Sequence, residues 1–232
     1  AGTGVGKSLF MCHVASSALV QGHNVLYITM EMAEERIAER IDANLLNVPI
    51  DQLDKISKDQ FTTKVNDIAR KTTGKLIIKE YPTGSAHAGH FRALLNELKL
   101  KRQFEPDLIF IDYLNICSSF RIRGGTNAGS YAIVKAIAEE LRGLAVEHDV
   151  PIISATQTNR SGFSSSDIGL EDTSESFGLP ATADFMLAIS ETEELEALNQ
   201  YMVKQLKNRY ADPSFHRRFV VGVDKSKMRL FD

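Results

Sequence analysis

The sequence predicts an α/β fold: a mostly parallel, twisted sheet with helices on both faces and an antiparallel extension at the C-terminal end. Three observations predict it. The first eight residues, 1–8, have the form of a glycine-rich phosphate-binding loop that opens a helix. Short apolar runs then alternate with amphipathic helical patterns up to residue 189, which favours a parallel sheet covered on both faces. Beyond residue 200 the strand-like runs follow one another without helices between them, which favours antiparallel pairing.

The glycine-rich loop leads into the first predicted helix, over Ser8–Gln21. Apolar residues such as Leu9 and Leu19 recur there at helical spacing, and Gly22 is suited to the C-terminal end of a helix. The next run, Val25–Thr29, is apolar and rich in β-forming residues. It is therefore the first predicted strand.

The remaining elements are predicted by the same periodicities. Amphipathic spacing predicts helices over Met32–Leu46, Phe61–Lys71, Phe91–Leu100 and Tyr131–His148. Apolar runs predict further strands of the parallel sheet over Lys75–Lys79, Leu108–Ile111, Val150–Ala155 and Ala183–Ile189. The antiparallel extension comprises Tyr201–Leu206, Phe219–Val223 and Met228–Phe231. The irregular segments Ser118–Ser130 and Gln157–Pro180 follow strand C-termini, the edge at which open α/β sheets bind ligands.

Length and composition indicate one globular domain over residues 1–232, with 43% hydrophobic and 25% charged residues. We expect it to be N-terminally truncated, because a hydrophobic strand normally precedes such a loop; that strand and any upstream domain are expected before Ala1. The net charge of −3 confines any nucleic-acid contact to a local patch. No apolar run approaches the roughly 20 residues of a membrane span. Cys12 and Cys117 lie far apart in apolar stretches, which indicates free buried thiols and a cytoplasmic location.

The loop itself predicts binding of a nucleoside triphosphate, ATP or another NTP, together with Mg²⁺. Its glycines let backbone N–H groups turn toward the β- and γ-phosphates, Lys7 supplies a positive charge, and the Ser8 hydroxyl can ligate Mg²⁺ at a helix N-terminus. Ala1 stands where the strict pattern has glycine. The alternative is a glycine-rich turn before an ordinary helix. The predicted nucleotide contacts are Gly2, Thr3, Gly4, Val5, Gly6, Lys7, Ser8 and Leu9.

Three polar residues follow predicted strands at the same edge. Asp112 ends the run Leu108–Ile111 in the manner of a Walker B carboxylate and is the predicted second Mg²⁺ partner, although turn formation would also explain it. Glu31 could activate the water that attacks the γ-phosphate, or could serve only the macrodipole of the following helix. Gln157 could sense the γ-phosphate, or could be a simple polar strand end.

These residues, taken together, carry a resemblance. The chain has Gly-Lys-Ser at 6–8, Met-Glu-Met at 30–32, Ile-Asp-Tyr-Leu-Asn at 111–115, Gln-Thr-Asn-Arg at 157–160 and Lys-Asn-Arg at 207–209. In order and spacing this set resembles the RecA-like motor domain of hexameric replicative DNA helicases of the DnaB family. The segment His-Asn-Val-Leu-Tyr-Ile at 23–28 is similar to the sequence of the T4-type phage helicases within this family. The likeness extends over essentially the whole chain.

The resemblance implies roles residue by residue. Glu31 would be the catalytic carboxylate, with Lys7 and Gln157 as the other catalytic groups of the same subunit. Lys207 and Arg209 are two apart on a predicted strand and so share a face. They would reach into the neighbouring subunit's site, Arg209 as an arginine finger. Without the family, a solvated strand face would explain them better.

The resemblance also implies that two loops line a central channel for single-stranded DNA. The implied DNA contacts are Arg121, Arg123, Gly124, Ser174 and Glu175. Ser174 departs from the bacterial pattern, which has an arginine at this position. A solubilising surface loop is the alternative for the arginine-containing segment.

The function implied by the resemblance is an ATP-driven motor that translocates on single-stranded DNA and unwinds duplex as a homohexamer, with primase and a helicase loader as candidate partners. A phage-encoded protein would act in the host cytoplasm. One alternative is a RecA-like recombinase; another is a slow nucleotide-switch ring that acts on protein partners. DNA-stimulated ATP hydrolysis would separate the motor from the switch.

Overall fold

A four-stranded parallel sheet forms the centre of the molecule. The computed structural model describes residues 2, 4–71, 73–122, 129–158, 168–172 and 178–232. The strands β1 (Val25–Thr29), β2 (Leu76–Glu80), β3 (Leu108–Asp112) and β4 (Ile152–Ser154) lie in the order β2-β1-β3-β4. In this register Thr29 lies beside Asp112, which brings the ends of β1 and β3 to one edge.

Helices cover both faces of this sheet, as predicted. They are α1 (Lys7–Val20), α2 (Glu34–Leu46), α3 (Lys58–Lys71), α4 (Ala88–Arg102) and α5 (Ser130–His148). Side chains alternate along β1, so that Val25 and Tyr27 pack against α1 and α2, whereas Leu26 and Ile28 pack against α4 and α5. All four are fully buried. Every helix and strand predicted in this half of the chain is present, with ends that differ by up to three residues.

A second, antiparallel sheet forms the C-terminal part. It contains β5 (Phe185–Ser190), β6 (Gln200–Asn208), β7 (Arg218–Asp224) and β8 (Arg229–Phe231) in sequence order. Two short helices flank β5, α6 (Gly178–Thr182) and α7 (Glu193–Ala197). The antiparallel extension is therefore confirmed.

The position of β5 differs from the prediction, which assigned this run to the parallel sheet. The structure places it at the edge of the antiparallel sheet, paired with β6. The connection from β5 to β6 holds only the one-turn helix α7, and parallel crossovers need a dozen or more residues, so the two strands pair antiparallel. The apolar composition of the run does not show which of the two sheets it joins.

The two sheets meet along α1. Leu9 on α1 packs with Ile189, Tyr201 and Val223 of the antiparallel sheet. On the other side, a cavity of about 550 Å³ lies between β4 and β5. Within the described ranges, neither of these two edges pairs with a further strand. The cavity walls are largely apolar, and Lys7 and Gln157 lie along it.

Both cysteines are free and buried, as expected. Burial raises the pKa of Cys12 and of Cys117 to about 12. None of the helices in the described part of the chain is long and apolar enough to cross a membrane.

Candidate functional site

The last glycine of the predicted phosphate-binding loop, Gly6, lies very close to the antiparallel sheet. Gly4 and Gly6 have φ angles of 82° and 106°, which L side chains rarely adopt. A Cβ on Gly6 would also lie 2.5 Å from the Tyr201 hydroxyl oxygen. Gly6 is therefore required both by backbone conformation and by space, and it places the first turn of α1 with its free N–H groups beside the loop.

Lys7 folds back over the loop. Its Nζ donates a hydrogen bond to the Gly2 carbonyl oxygen at 3.1 Å. Desolvation lowers the pKa of Lys7, while the charges of Glu31 and Asp112 oppose that shift. The ammonium group and both predicted carboxylates thus share one electrostatic environment. Leu9, in contrast, buries its side chain against the second sheet.

Glu31 lies two residues beyond the end of β1. Hydrogen bonds from two threonines hold the turn that carries Glu31. The Thr29 hydroxyl donates to the Met32 carbonyl at 2.8 Å and accepts from the Met32 N–H at 3.1 Å, and the Thr83 hydroxyl donates to the Met30 carbonyl at 2.7 Å. The side chain of Glu31 is exposed on this turn.

Asp112 is fully buried as the last residue of β3. Its Oδ2 accepts a hydrogen bond from the Tyr27 hydroxyl at 3.0 Å. Its Oδ1 has no hydrogen-bond partner among the described residues, although it is buried. A buried carboxylate with one oxygen anchored and the other free fits a hard divalent cation such as Mg²⁺.

Gln157 is connected to this group through Tyr113, a residue that the sequence did not single out. Gln157 lies three residues beyond β4, and its Nε2 donates to the Tyr113 hydroxyl at 3.2 Å. Lys7 Nζ lies 5.9 Å from the centre of the Tyr113 ring. Burial, followed by the charges of Glu31 and Asp112, raises the pKa of Tyr113. The only sequence signal was its place directly after the Walker B carboxylate.

Lys207 and Arg209 share a face at the far end of β6, with Arg209 one residue beyond the strand. The ammonium group of Lys207 donates to the carbonyl oxygens of Pro180 and Ala181 at 2.6 and 3.2 Å. Arg209 Nη2 donates to the Ala181 carbonyl at 3.3 Å, and its Nη1 lies 2.7 Å from Asp184 Oδ1. The two cations are therefore brought together, and neither is among the charged groups that shift the pKa of Lys7.

Arg121 is the one predicted DNA contact within the described residues. It pairs with Glu139 at 2.8 Å and with Glu140 at 3.4 Å, both on α5. Arg123, Gly124, Ser174 and Glu175 lie outside the described residues, as does Thr3 of the phosphate-binding loop. The described residues contain no cluster of three or more His, Cys, Asp or Glu side chains arranged to hold a metal.

Comparison with known proteins identifies the family of this chain. The family described as "DnaB-like helicase C terminal domain" matches residues 1–212. The chain belongs to this family. The DnaB-like replicative helicase of Enterobacteria phage T4 is 52% identical over 99% of this chain, and a replicative DNA helicase DnaB of Helicobacter pylori is 27% identical over 79%. The chain spans 49% and 37% of those two proteins, respectively.

Solved structures agree on the fold of this DnaB-like domain. One that is described as an ATPase domain matches with a TM-score of 0.79 and 17% identity, covering 100% of this chain and 82% of that one. A structure described as "The Structure Of A DnaB-Like Replicative Helicase And Its Interactions With Primase" matches with the same TM-score and identity, covering 99% of this chain and 55% of that one. The RecA-like architecture is therefore confirmed, and membership of the family implies nucleotide binding.

Proposed function

We propose that this DnaB-like domain is the ATP-hydrolysing motor of a replicative DNA helicase that translocates on single-stranded DNA and unwinds duplex as a homohexamer. The observation that carries the proposal is the meeting of Lys7, Glu31, Asp112 and Gln157 at the carboxyl edge of the parallel sheet. Each has the chemistry required for phosphoryl transfer to water.

Within one subunit the roles divide by position. Lys7 and the N–H groups of the loop would hold the β- and γ-phosphates of ATP. Ser8 and the free Oδ1 of Asp112 would hold Mg²⁺, which when bound neutralises charge on the phosphates. Glu31 would accept the proton of the attacking water from its fixed turn. Gln157 would orient the γ-phosphate or the water.

The site would be complete only at a subunit interface. Neither Arg209 nor Lys207 is among the charged groups that shift the pKa of Lys7 in the same chain. The Arg209 side chain is 43% exposed, so it is accessible to a neighbour. We assign Arg209 as the finger that stabilises the transferring phosphoryl group in trans, with Lys207 beside it. A ring of identical subunits provides every site with such a neighbour.

We also propose that the segment following β3 contacts DNA through Arg121, Arg123 and Gly124, and that Ser174 and Glu175 belong to a second channel loop. Non-specific binding of single strands needs charge and access rather than base edges. Primase and a helicase loader are the proposed protein partners, and the host cytoplasm is the proposed location.

We further propose that a hydrophobic strand preceding the phosphate-binding loop fills the cavity between β4 and β5. Both edges flank a largely apolar space in which Lys7 lies, so such a strand would join the two sheets and hold the loop rigidly. In the longer protein, amide hydrogens of β4 and β5 should then exchange more slowly than in residues 1–232 alone. Equal exchange would contradict this placement.

Rings assembled from a mixture of two variants, called mixed rings, test the motor and its trans site together in the full-length protein. Glu31→Gln and Arg209→Ala should each hydrolyse ATP very slowly, with about 10³- to 10⁵-fold loss expected for a missing finger. A mixture should regain hydrolysis, because some sites then combine an intact Glu31 with a neighbour's intact Arg209. Arg217→Ala, at an exposed arginine between β6 and β7, is the matched control and should retain activity.

Two results would contradict the proposal. Mixed rings that form but stay as inactive as either parent would exclude a finger in trans. ATP hydrolysis by the wild-type protein that single-stranded DNA does not stimulate would favour the nucleotide switch over the DNA motor.

A further inference from the structure

Asp184 occupies a junction that no sequence motif indicates. It directly precedes β5, and Arg209 directly follows β6. Because Phe185 pairs with Asn208 in the antiparallel register, Asp184 and Arg209 are neighbours across the two strands. The Arg209 N–H donates to the Asp184 carbonyl at 2.9 Å, which extends the pairing by one residue.

The carboxylate of Asp184 is shared by two arginines. Its Oδ1 lies 2.7 Å from Arg209 Nη1 and 3.3 Å from Nη2 of Arg142 on α5. Its side chain is 31% exposed, and the side chains of Arg209 and Arg142 are 43% and 44% exposed. The pairing therefore occurs at the surface, where its contribution to stability is expected to be small.

Lys207 adds a third positive charge to the same cluster. Desolvation and then the charge of Arg209 lower the pKa of Lys207, while the charge of Asp184 opposes this shift. Without Asp184, three cations would face one another across the end of β6. Repulsion among them would spread the Arg209 side chain over more conformations.

We propose that Asp184 is a positioning residue that orients the Arg209 guanidinium for the neighbouring subunit's nucleotide. The proposal rests on the assignment of Arg209 as a finger in trans. Asp184 binds one amino group and the Ala181 carbonyl binds the other, so the guanidinium is held before a neighbour arrives. A finger already held in place loses less conformational freedom when it meets phosphate, and a small displacement of it is costly in rate.

The first test is Asp184→Asn in the full-length protein. It should lower kcat by about 10- to 100-fold, less than complete loss of a finger, with the KM for ATP unchanged because the phosphate-binding loop is intact. Combined with Arg209→Ala it should lower kcat no further than Arg209→Ala alone. An additive loss would mean that Asp184 acts elsewhere and would overturn the proposal.

Arg142→Ala is the matched control, because it removes the other arginine bound to Asp184 and leaves Arg209 in place. Its kcat should stay within about threefold of wild type. If Arg142→Ala lowers kcat as much as Asp184→Asn does, the contact between α5 and the start of β5 is what matters, and the orientation of the finger is not. That result would also overturn the proposal.

Subunit mixing separates this inference from the proposed function. Mixed with Glu31→Gln, Asp184→Asn should give hydrolysis above the sum of the parents; mixed with Arg209→Ala it should not. If Arg209→Ala and Glu31→Gln fail to complement, the trans finger is wrong. Suppose that they do complement. If Asp184→Asn then fails to complement Glu31→Gln, or does complement Arg209→Ala, Asp184 is not the positioning residue of Arg209. Should Asp184→Asn not form rings, Asp184→Ser, which also removes the charge, replaces it with the same expected complementation, and wild-type kcat in that variant overturns the proposal.

Discussion

Replacing Tyr27 with Phe should weaken both the fold and the proposed metal site, through one oxygen atom. The Tyr27 hydroxyl donates to Asp112 Oδ2 at 3.0 Å, and both residues are fully buried. Burial raises the pKa of Tyr27 well above its ordinary value, so the hydroxyl remains a donor at neutral pH. Phe keeps the ring, which stacks on Phe110 with centroids 5.6 Å apart. The substitution therefore removes this hydrogen bond and the weak one that the hydroxyl accepts from the Cys12 thiol at 3.9 Å.

The magnitude follows from the charge on the acceptor. A hydrogen bond to a charged group contributes about 1.5–3 kcal/mol, so the free energy of unfolding should fall by about 2 kcal/mol. For a chain of this size that corresponds to a decrease in Tm of about 4–8 °C. Partners that orient a metal ligand typically contribute 10–100-fold to metal affinity, so Mg²⁺-dependent ATP binding should need about that much more Mg²⁺.

Urea unfolding measures the first effect, and Mg²⁺ titration of fluorescent ATP-analogue binding measures the second. Tyr131→Phe, at an exposed tyrosine on α5, is the matched control and should change neither. If Tyr27→Phe unfolds within about 0.5 kcal/mol of wild type and binds the nucleotide at the same Mg²⁺ concentration, Asp112 does not depend on this anchor. Its assignment as the metal partner would then lose its main structural support.

Three further outcomes are expected. Glu31→Gln should keep ATP affinity yet lower kcat about 10²–10⁴-fold, measured by equilibrium binding and steady-state hydrolysis; near wild-type turnover would remove it from the mechanism. Gly6→Ala should destabilise more than Gly4→Ala in thermal unfolding, because both have positive φ but only Gly6 would also clash; equal losses would contradict this. Because burial raises the pKa values of Cys12 and Cys117, only the unfolded chain ionises these thiols near pH 9, so the free energy of unfolding should fall as pH rises above about 9. If a double variant with both cysteines replaced by alanine shows the same pH profile, the two thiols are not the cause of that fall.

The parts of the site carried by local motifs could be predicted from sequence. Lys7 follows a glycine that must adopt positive φ, and Asp112 ends an apolar strand, so each position depends on its near neighbours. The turns that follow the strands were less predictable. Glu31 and Gln157 lie two and three residues beyond β1 and β4, and the turn that carries Glu31 is held by the Thr29 hydroxyl.

Residues whose partners lie far away along the chain could not be predicted. Tyr113 bonds to Gln157, and Asp184 pairs with Arg209, only because the strands carrying them are neighbours in their sheets. The placement of β5 in the antiparallel sheet has the same origin, since an apolar run has the same composition whether its neighbour is parallel or antiparallel. Register and pairing are properties of the whole sheet.

Arg121 shows how such a distant contact changes a functional interpretation. By sequence it is a cation in a polar loop, suited to bind phosphate. In the fold its guanidinium lies between Glu139 and Glu140, so its positive charge is offset by two carboxylates. Glu140 is itself 7% exposed, and it accepts hydrogen bonds from the Ser119 hydroxyl at 2.5 Å and the Phe120 N–H at 3.2 Å.

This network fastens the segment after β3 onto α5, and the same helix carries Arg142, which contacts Asp184. Counterion release on DNA binding depends on charge that is free to pair with phosphate, and Arg121 is already paired. Its contribution to a channel loop would then come first from holding the start of that loop in place, and only second from attraction. Glu139, Glu140 and Arg142 lie within four residues of one another near the middle of α5, so one short stretch of this helix contacts both the start of the proposed DNA loop and the residue beside the proposed finger. Because Arg142→Ala is expected to change kcat little, the role that we assign to this stretch is to hold the loop in place.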